Sequence, residues 1–124
     1  MKTIYTLISI TILFLSQNTF ADFWVPSTGL GYHIKQVEWD CRVQPPGNSP
    51  NGYPNGSNAK IQLILAESPS TTYYFYFDAG NAAQSTNAKS IYSTFLQGKA
   101  TGEYVNILID GNSGFIVAAQ IGGN

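Results

Sequence analysis

The most regular pattern of apolar and polar positions lies late in the chain, between Asn87 and Asp110. Ala88, Ile91, Tyr92, Phe95, Leu96 and Ala100 recur at the spacing of one helical face, with Ser90, Ser93, Thr94 and Gln97 between them. This predicts one amphipathic helix of about four turns. Ser85, Thr86 or Asn87 can cap its first turn, because a short side-chain oxygen accepts an orphan backbone N–H there. Gly102 can supply the left-handed residue that ends it. The period then changes to two: Val105, Ile107 and Ile109 alternate with Tyr104, Asn106 and Leu108, predicting a strand that stops at Asp110-Gly111.

The other periodic stretches read as strands. Between Tyr32 and Val43 the apolar phase slips: Tyr32 and Ile34 share one face, whereas Val37, Trp39, Cys41 and Val43 share the other. A bulge near Lys35-Gln36 produces such a slip and bends one strand between two sheets. Ile61, Leu63 and Leu65 form the inward face of a second strand, which ends at Glu67-Ser68-Pro69. In the third, Thr72 to Asp78, Tyr73, Phe75 and Phe77 line one face and Tyr74 and Tyr76 the other. The outer pair would need a cover, supplied by the helix, a second subunit or a flat ligand such as a sugar ring. After the Asp110–Gly114 turn, Phe115, Val117, Ala119 and Ile121 form the last inward face.

Two stretches break the pattern. Asp22 to Gly31 is an irregular lead-in whose Phe23 and Trp24 are expected to plug one end of the core. Gln44 to Asn58 is nearly all Pro, Gly, Asn and Ser, so it is expected to be a long exposed loop with Tyr53 at its centre. The resulting order, β-β-β-α-β-β with a bent first strand, fits a mainly β fold with one helix: the small five-stranded Greek-key barrel of the oligonucleotide/oligosaccharide-binding (OB) fold. A six-stranded open sandwich, with Phe23 to Pro26 as a strand, is the competing arrangement.

Lys2, the apolar run Ile4 to Leu15 and Thr19-Phe20-Ala21 resemble a signal peptide cleaved after Ala21. Residues 1–21 are thus expected to be a leader and 22–124 a single secreted or periplasmic domain with no membrane span. Without Lys2, five basic residues (Lys35, Arg42, Lys60, Lys89 and Lys99) face seven acidic ones. No basic stripe results, which argues against a nucleic-acid partner. Charged residues are 10% of the chain and aromatics 14%, a surface suited to uncharged polar ligands. Cys41 has no partner within the chain and is expected to be a buried small hydrophobe.

Catalysis has little to draw on. Cys41 and His33, the only cysteine and histidine, lie eight residues apart on one strand, over ~25 Å at about 3.3 Å per residue. No second His or Cys completes a metal site. The expectation is a binding protein, not an enzyme, with no cofactor and no metal. Glu38 and Asp40 read as residues that keep the first strand's solvent face polar.

The run KSIYSTFLQGKATGEYVNILIDG, Lys89 to Gly111, resembles the helix-then-strand segment of exported bacterial toxin B subunits of the subtilase-cytotoxin and pertussis-like class. In those proteins a Thr-Gly or Ser-Gly helix stop precedes a strand and a D-G turn, as Thr101-Gly102 and Asp110-Gly111 do here. The resemblance implies a barrel protomer, a homopentameric ring with helices lining its centre, an enzymatic A subunit, and recognition of cell-surface glycans, often sialylated. The chain departs in lacking a disulfide and in placing Leu30 where the family's ligand-holding serine stands. Ser27, Thr28, Tyr32, His33 and Lys35, with Tyr74 and Tyr76, are the expected glycan-binding residues, Lys35 meeting a sialic carboxylate. The alternative is an exported protein-interaction or inhibitor domain on the same barrel, without a ring.

Overall fold

The computed structural model describes residues 20–27, 29–41 and 49–122. Most of the predicted leader, together with Thr28 and the stretch from Arg42 to Asn48, lies outside them. The described chain folds as six strands and one helix: β1 (Phe23–Val25), β2 (Ile34–Cys41), β3 (Ala59–Leu65), β4 (Ser68–Phe77), α1 (Ala82–Thr101), β5 (Val105–Ile109) and β6 (Ile116–Ile121). They form two three-stranded antiparallel sheets, ordered β1-β5-β6 and β2-β3-β4.

The lead-in is therefore a strand rather than a plug. Phe23, Trp24 and Val25 pair with Ile109, Leu108 and Ile107, so the count is six strands, not five. Three residues are too few for alternation to announce a strand; β1 exists because β5 offers it a free ladder. The chain leaves β1 through a cis Val25–Pro26 peptide. The slip expected near Lys35 is present: Ile34 pairs with Leu65 and Gln36 with Ile64, leaving Lys35 as the extra residue. Just before it, Tyr32 and Val105 exchange two backbone hydrogen bonds of 2.9 and 2.8 Å, linking one sheet to the other.

The core is built by alternation. Ala59, Ile61, Leu63 and Leu65 of β3, Phe75 and Phe77 of β4, and Val105, Ile107 and Ile109 of β5 are all buried. The helix closes this core with Ala88, Ile91, Phe95 and Gly98, while Trp39 of β2 sits between Phe77 and Tyr92 at ring separations of 4.9 and 5.3 Å. Leu96 and Ala100, expected on the buried face, are exposed, Leu96 by 44%. Gly98 takes their place because a residue without a Cβ lets the helix lie directly on Val105.

The helix also starts earlier than expected. Asn81, not Ser85, Thr86 or Asn87, is the N-cap, its side chain accepting from the Gln84 N–H. Gln84 in turn accepts from the Asp78 N–H, so one backbone donor in the first turn and one ahead of the helix are satisfied together. Gly102 ends the helix in the left-handed region at φ 71°, as anticipated.

Three inward assignments need correction. At the β5–β6 hairpin the register shifts so that Leu108 pairs with Ala118 but Ile109 with Ile116. Val117 is the extra residue of this bulge and is exposed, Ile116 is buried in its stead, and Phe115 turns to the outside. Cys41, expected to be buried, is exposed with a free thiol on β2, an edge strand of its sheet. Asn106, which alternates with Val105 and Ile107, is also fully buried; its Nδ2 donates to the Gly122 carbonyl.

Candidate functional site

The pairing of β2, β3 and β4 sets two rows of side chains across the outer face of their sheet. Glu38 stands opposite Gln62, and Gln62 opposite Tyr74; Asp40 stands opposite Lys60, and Lys60 opposite Tyr76. Strand alternation places all six on the face away from Ile61, Leu63, Phe75 and Phe77.

The aromatic side chains of this face touch one another. Tyr74 and Tyr76 stack at 5.7 Å and 27° between planes. The described part of the expected loop, residues 49–58, keeps Asn51, Gly52, Asn55 and Gly56 exposed but folds back through two turns, with Tyr53 N–H donating to the Pro50 carbonyl and Ser57 N–H to the Pro54 carbonyl. This sets the Tyr53 ring edge-on to Tyr76 at 5.3 Å, and Phe115 approaches Tyr76 in the same manner at 4.7 Å. Four rings thus form one continuous, half-buried aromatic surface.

Polar groups rim it. The Tyr53 hydroxyl donates to Asp40 Oδ2 at 2.7 Å, which holds the loop to β2. Glu38 accepts from Gln36 Nε2 at 2.6 Å and from Gln62 Nε2 at 2.8 Å. Lys60 Nζ lies 4.9 Å from the Tyr53 ring centre and 5.2 Å from that of Tyr74, in the attractive range for a cation over a π face. Burial, and after it the neighbouring Tyr74, push the Tyr76 phenol above its ordinary pKa, so its hydroxyl stays a donor and acceptor at neutral pH.

Among the described residues, those expected from sequence to form one site do not all lie together. Tyr74 and Tyr76 belong to the aromatic face. His33 sits at the other end of the sheet, where its carbonyl accepts from the Ala66 N–H just past Leu65. From Lys60 to Leu65 along β3 is roughly 17 Å at about 3.3 Å per residue. There His33 Nδ1 lies 2.6 Å from Glu67 Oε1, its backbone N–H donates to Glu67 Oε2, and its ring lies 4.5 Å from that of Tyr104. Burial raises the Glu67 pKa, but the side-chain and backbone hydrogen bonds from His33 outweigh it and the net shift is downward. Tyr32 is half-buried with its backbone committed to Val105, Ser27 and Lys35 are exposed, and Thr28 is outside the described residues.

Sequence reasoning had singled out Tyr53, Tyr74 and Tyr76 but not Lys60 or Gln62, and it gave Glu38 and Asp40 only a solubilising role. The signal for them is cross-strand register, which appears only once β2, β3 and β4 are aligned. No group of three or more His, Cys, Asp or Glu side chains is placed to hold a metal ion among the described residues. Nor is any helix among them long and apolar enough to cross a membrane. Comparison with protein-family models, curated proteins and solved structures returns no match.

Proposed function

We propose that this protein is an exported glycan-binding domain that uses the outer face of the β2-β3-β4 sheet. The observation that carries the reading is the ring surface of Tyr53, Tyr74, Tyr76 and Phe115 set beside Gln62, Lys60, Asp40 and Glu38. Sugars present apolar C–H faces that stack on rings and hydroxyls that need hydrogen-bond partners at the ring edge, and this face offers both.

The same reading makes the two sheets an OB-type Greek-key barrel with β1 as an added strand. Its support is the Tyr32–Val105 link between the sheets and the placing of α1 between β4 and β5. The resemblance of Lys89 to Gly111 to toxin B subunits adds a ring of five copies and a companion A subunit to the proposal. A protein-interaction domain is the second reading, favoured by the exposed apolar side chains of Phe23, Leu30, Leu96 and Val117.

A glycan array probed with the purified protein and with Tyr76→Ala tests the first reading, and light scattering tests the ring. Glycan binding lost in the variant and a pentameric mass support the proposal. A monomer that binds no glycan leaves the second reading.

A further inference from the structure

We propose that Asn51 is a self-modifying residue, converted to isoaspartate by attack of the Gly52 amide nitrogen on its side chain, and that the conversion releases Tyr53 from the aromatic face. The proposal is independent of what that face binds. Asn-Gly occurs twice in the chain, at Asn51-Gly52 and Asn55-Gly56, each time after a proline. Glycine puts no Cβ beside the attacking nitrogen, so these are the two positions where a five-membered imide closes most readily. The structure separates them.

Both pairs are exposed and sit in like turns. Tyr53 N–H donates to the Pro50 carbonyl at 3.0 Å and Ser57 N–H to the Pro54 carbonyl at 3.1 Å. Gly52 and Gly56 stand at φ 83° and 86°, and neither asparagine has a positive φ, which is the type II pattern. In that pattern the asparagine backbone must rotate before the next nitrogen meets its side-chain carbonyl, so reaction waits on a local opening of the turn. The attacking nitrogen must also lose its proton. In the second turn that proton is engaged, because Gly56 N–H donates to Ser49 Oγ at 2.9 Å, and the Ser57 hydroxyl adds a 2.6 Å bond to the Pro54 carbonyl. In the first turn, Gly52 N–H makes no hydrogen bond among the described residues.

The chemistry needs only water. The Gly52 nitrogen, its proton passed to water or hydroxide, bonds to Asn51 Cγ; the Cγ–Nδ2 bond breaks and Nδ2 leaves as ammonia, taking up a proton. Water then adds to the main-chain carbonyl of the imide, and the bond from that carbonyl to the Gly52 nitrogen breaks. A carboxylate is left, and the backbone now runs through Cβ and Cγ of residue 51. The added backbone carbon lies between Pro50 and Tyr53, so the bond that closes the turn is lost, and with it the backbone geometry that sets the Tyr53 ring edge-on to Tyr76.

The test holds the purified protein at neutral pH and physiological temperature and follows both asparagines by peptide mapping and mass spectrometry, with isoaspartate resolved from aspartate. Asn51 is expected to convert at least about fivefold faster than Asn55, the scale of one hydrogen bond on the attacking nitrogen. Ser49→Ala frees Gly56 N–H and is expected to narrow that gap. NMR contacts between the Tyr53 and Tyr76 rings are expected to fade as isoaspartate accumulates and to persist in Asn51→Gln, whose longer side chain closes no five-membered imide. An unconverted Asn51, an Asn55 that converts as fast, or a gap unchanged in Ser49→Ala would overturn the assignment of the site. A converted chain that keeps the Tyr53–Tyr76 contact would overturn the release.

Discussion

Gly98 and Val105 bring the helix tightly against β5: a Cβ built on Gly98 would lie 2.5 Å from Val105 Cγ2. Val105 is fully buried and its backbone is tied to Tyr32, so neither its side chain nor its strand has room to retreat. Alanine in place of glycine inside a helix ordinarily stabilises by about 1 kcal/mol, whereas overpacking a core costs about 1–3 kcal/mol. Gly98→Ala is therefore expected to lower stability, by up to about 2 kcal/mol, in urea unfolding. Val105→Ala in the same chain should recover part of the loss, the signature of a direct clash. A stabilised Gly98→Ala would show that the helix can lift at no cost.

Tyr76 is the ring that Tyr53, Tyr74 and Phe115 all touch. Tyr76→Ala should cost about 1–2 kcal/mol of stability through lost ring contacts, and should weaken glycan binding more than tenfold. Tyr76→Phe keeps the stack and removes one hydroxyl. Its stability should match that of the original protein, separating platform from hydrogen bonding in binding assays.

Asp110 accepts from the backbone N–H groups of Ser113 at 3.1 Å and Asn112 at 2.7 Å. These bonds, with Ser113 the larger influence, hold its pKa below the ordinary aspartate value. The contribution to stability is therefore complete above the ordinary value and is lost as pH falls through the depressed one. Backbone amide shifts of Asn112 and Ser113, followed by NMR on acidification, should titrate together below the usual aspartate range. Asp110→Asn should remove that titration.

Glu67 follows the same sign through a different contact. The bonds from His33 lower its pKa, so they favour the folded state above the ordinary glutamate value and fade as pH falls through the lowered one. Glu67→Gln should flatten this acid limb in thermal unfolding. It should leave sugar affinity unchanged, because the pair sits at the far end of the sheet from Tyr76.

Asn106 tests the buried polar side of the fold. Its Nδ2 is bonded to the Gly122 carbonyl, and its Oδ1 has no partner among the described residues. Asn106→Asp replaces the donor with an oxygen facing a carbonyl and is expected to destabilise by about 3 kcal/mol or more. Urea midpoints at pH 7 and pH 4 check it, with part of the loss returning at the lower pH as the carboxyl takes up a proton.

The strands that read clearly in the sequence are those whose alternation runs unbroken. Ile61, Leu63 and Leu65, or Val105, Ile107 and Ile109, need only one buried face to be recognised. The Lys35 bulge was visible because apolar residues flank it on both sides, whereas the Val117 bulge hides among residues that are apolar in either phase. The helix start was legible in principle: Asn81-Ala82-Ala83-Gln84 carries a capping residue with Gln three places on, but its alanines fit no amphipathic stripe. Of the aromatic half of the candidate site, Tyr74 and Tyr76 were legible as an outward pair and Tyr53 only as a loop residue, whereas Phe115 read as inward because the Val117 bulge was hidden. The polar half depends on which residues of β2 and β3 stand beside these rings, and long-range register leaves no local trace in the chain.

The Tyr32–Val105 link has a mechanical meaning. Each sheet keeps its own ladder, and among the described residues the two ladders are joined through one reciprocal pair of amide bonds, with Gly31 beside it at φ 111°. One shared core and one helix hold both ladders, so this pair is a seam and not a hinge. The amide protons of Tyr32 and Val105 thus gauge the parting of the two sheets, exchanging with solvent only when the seam opens.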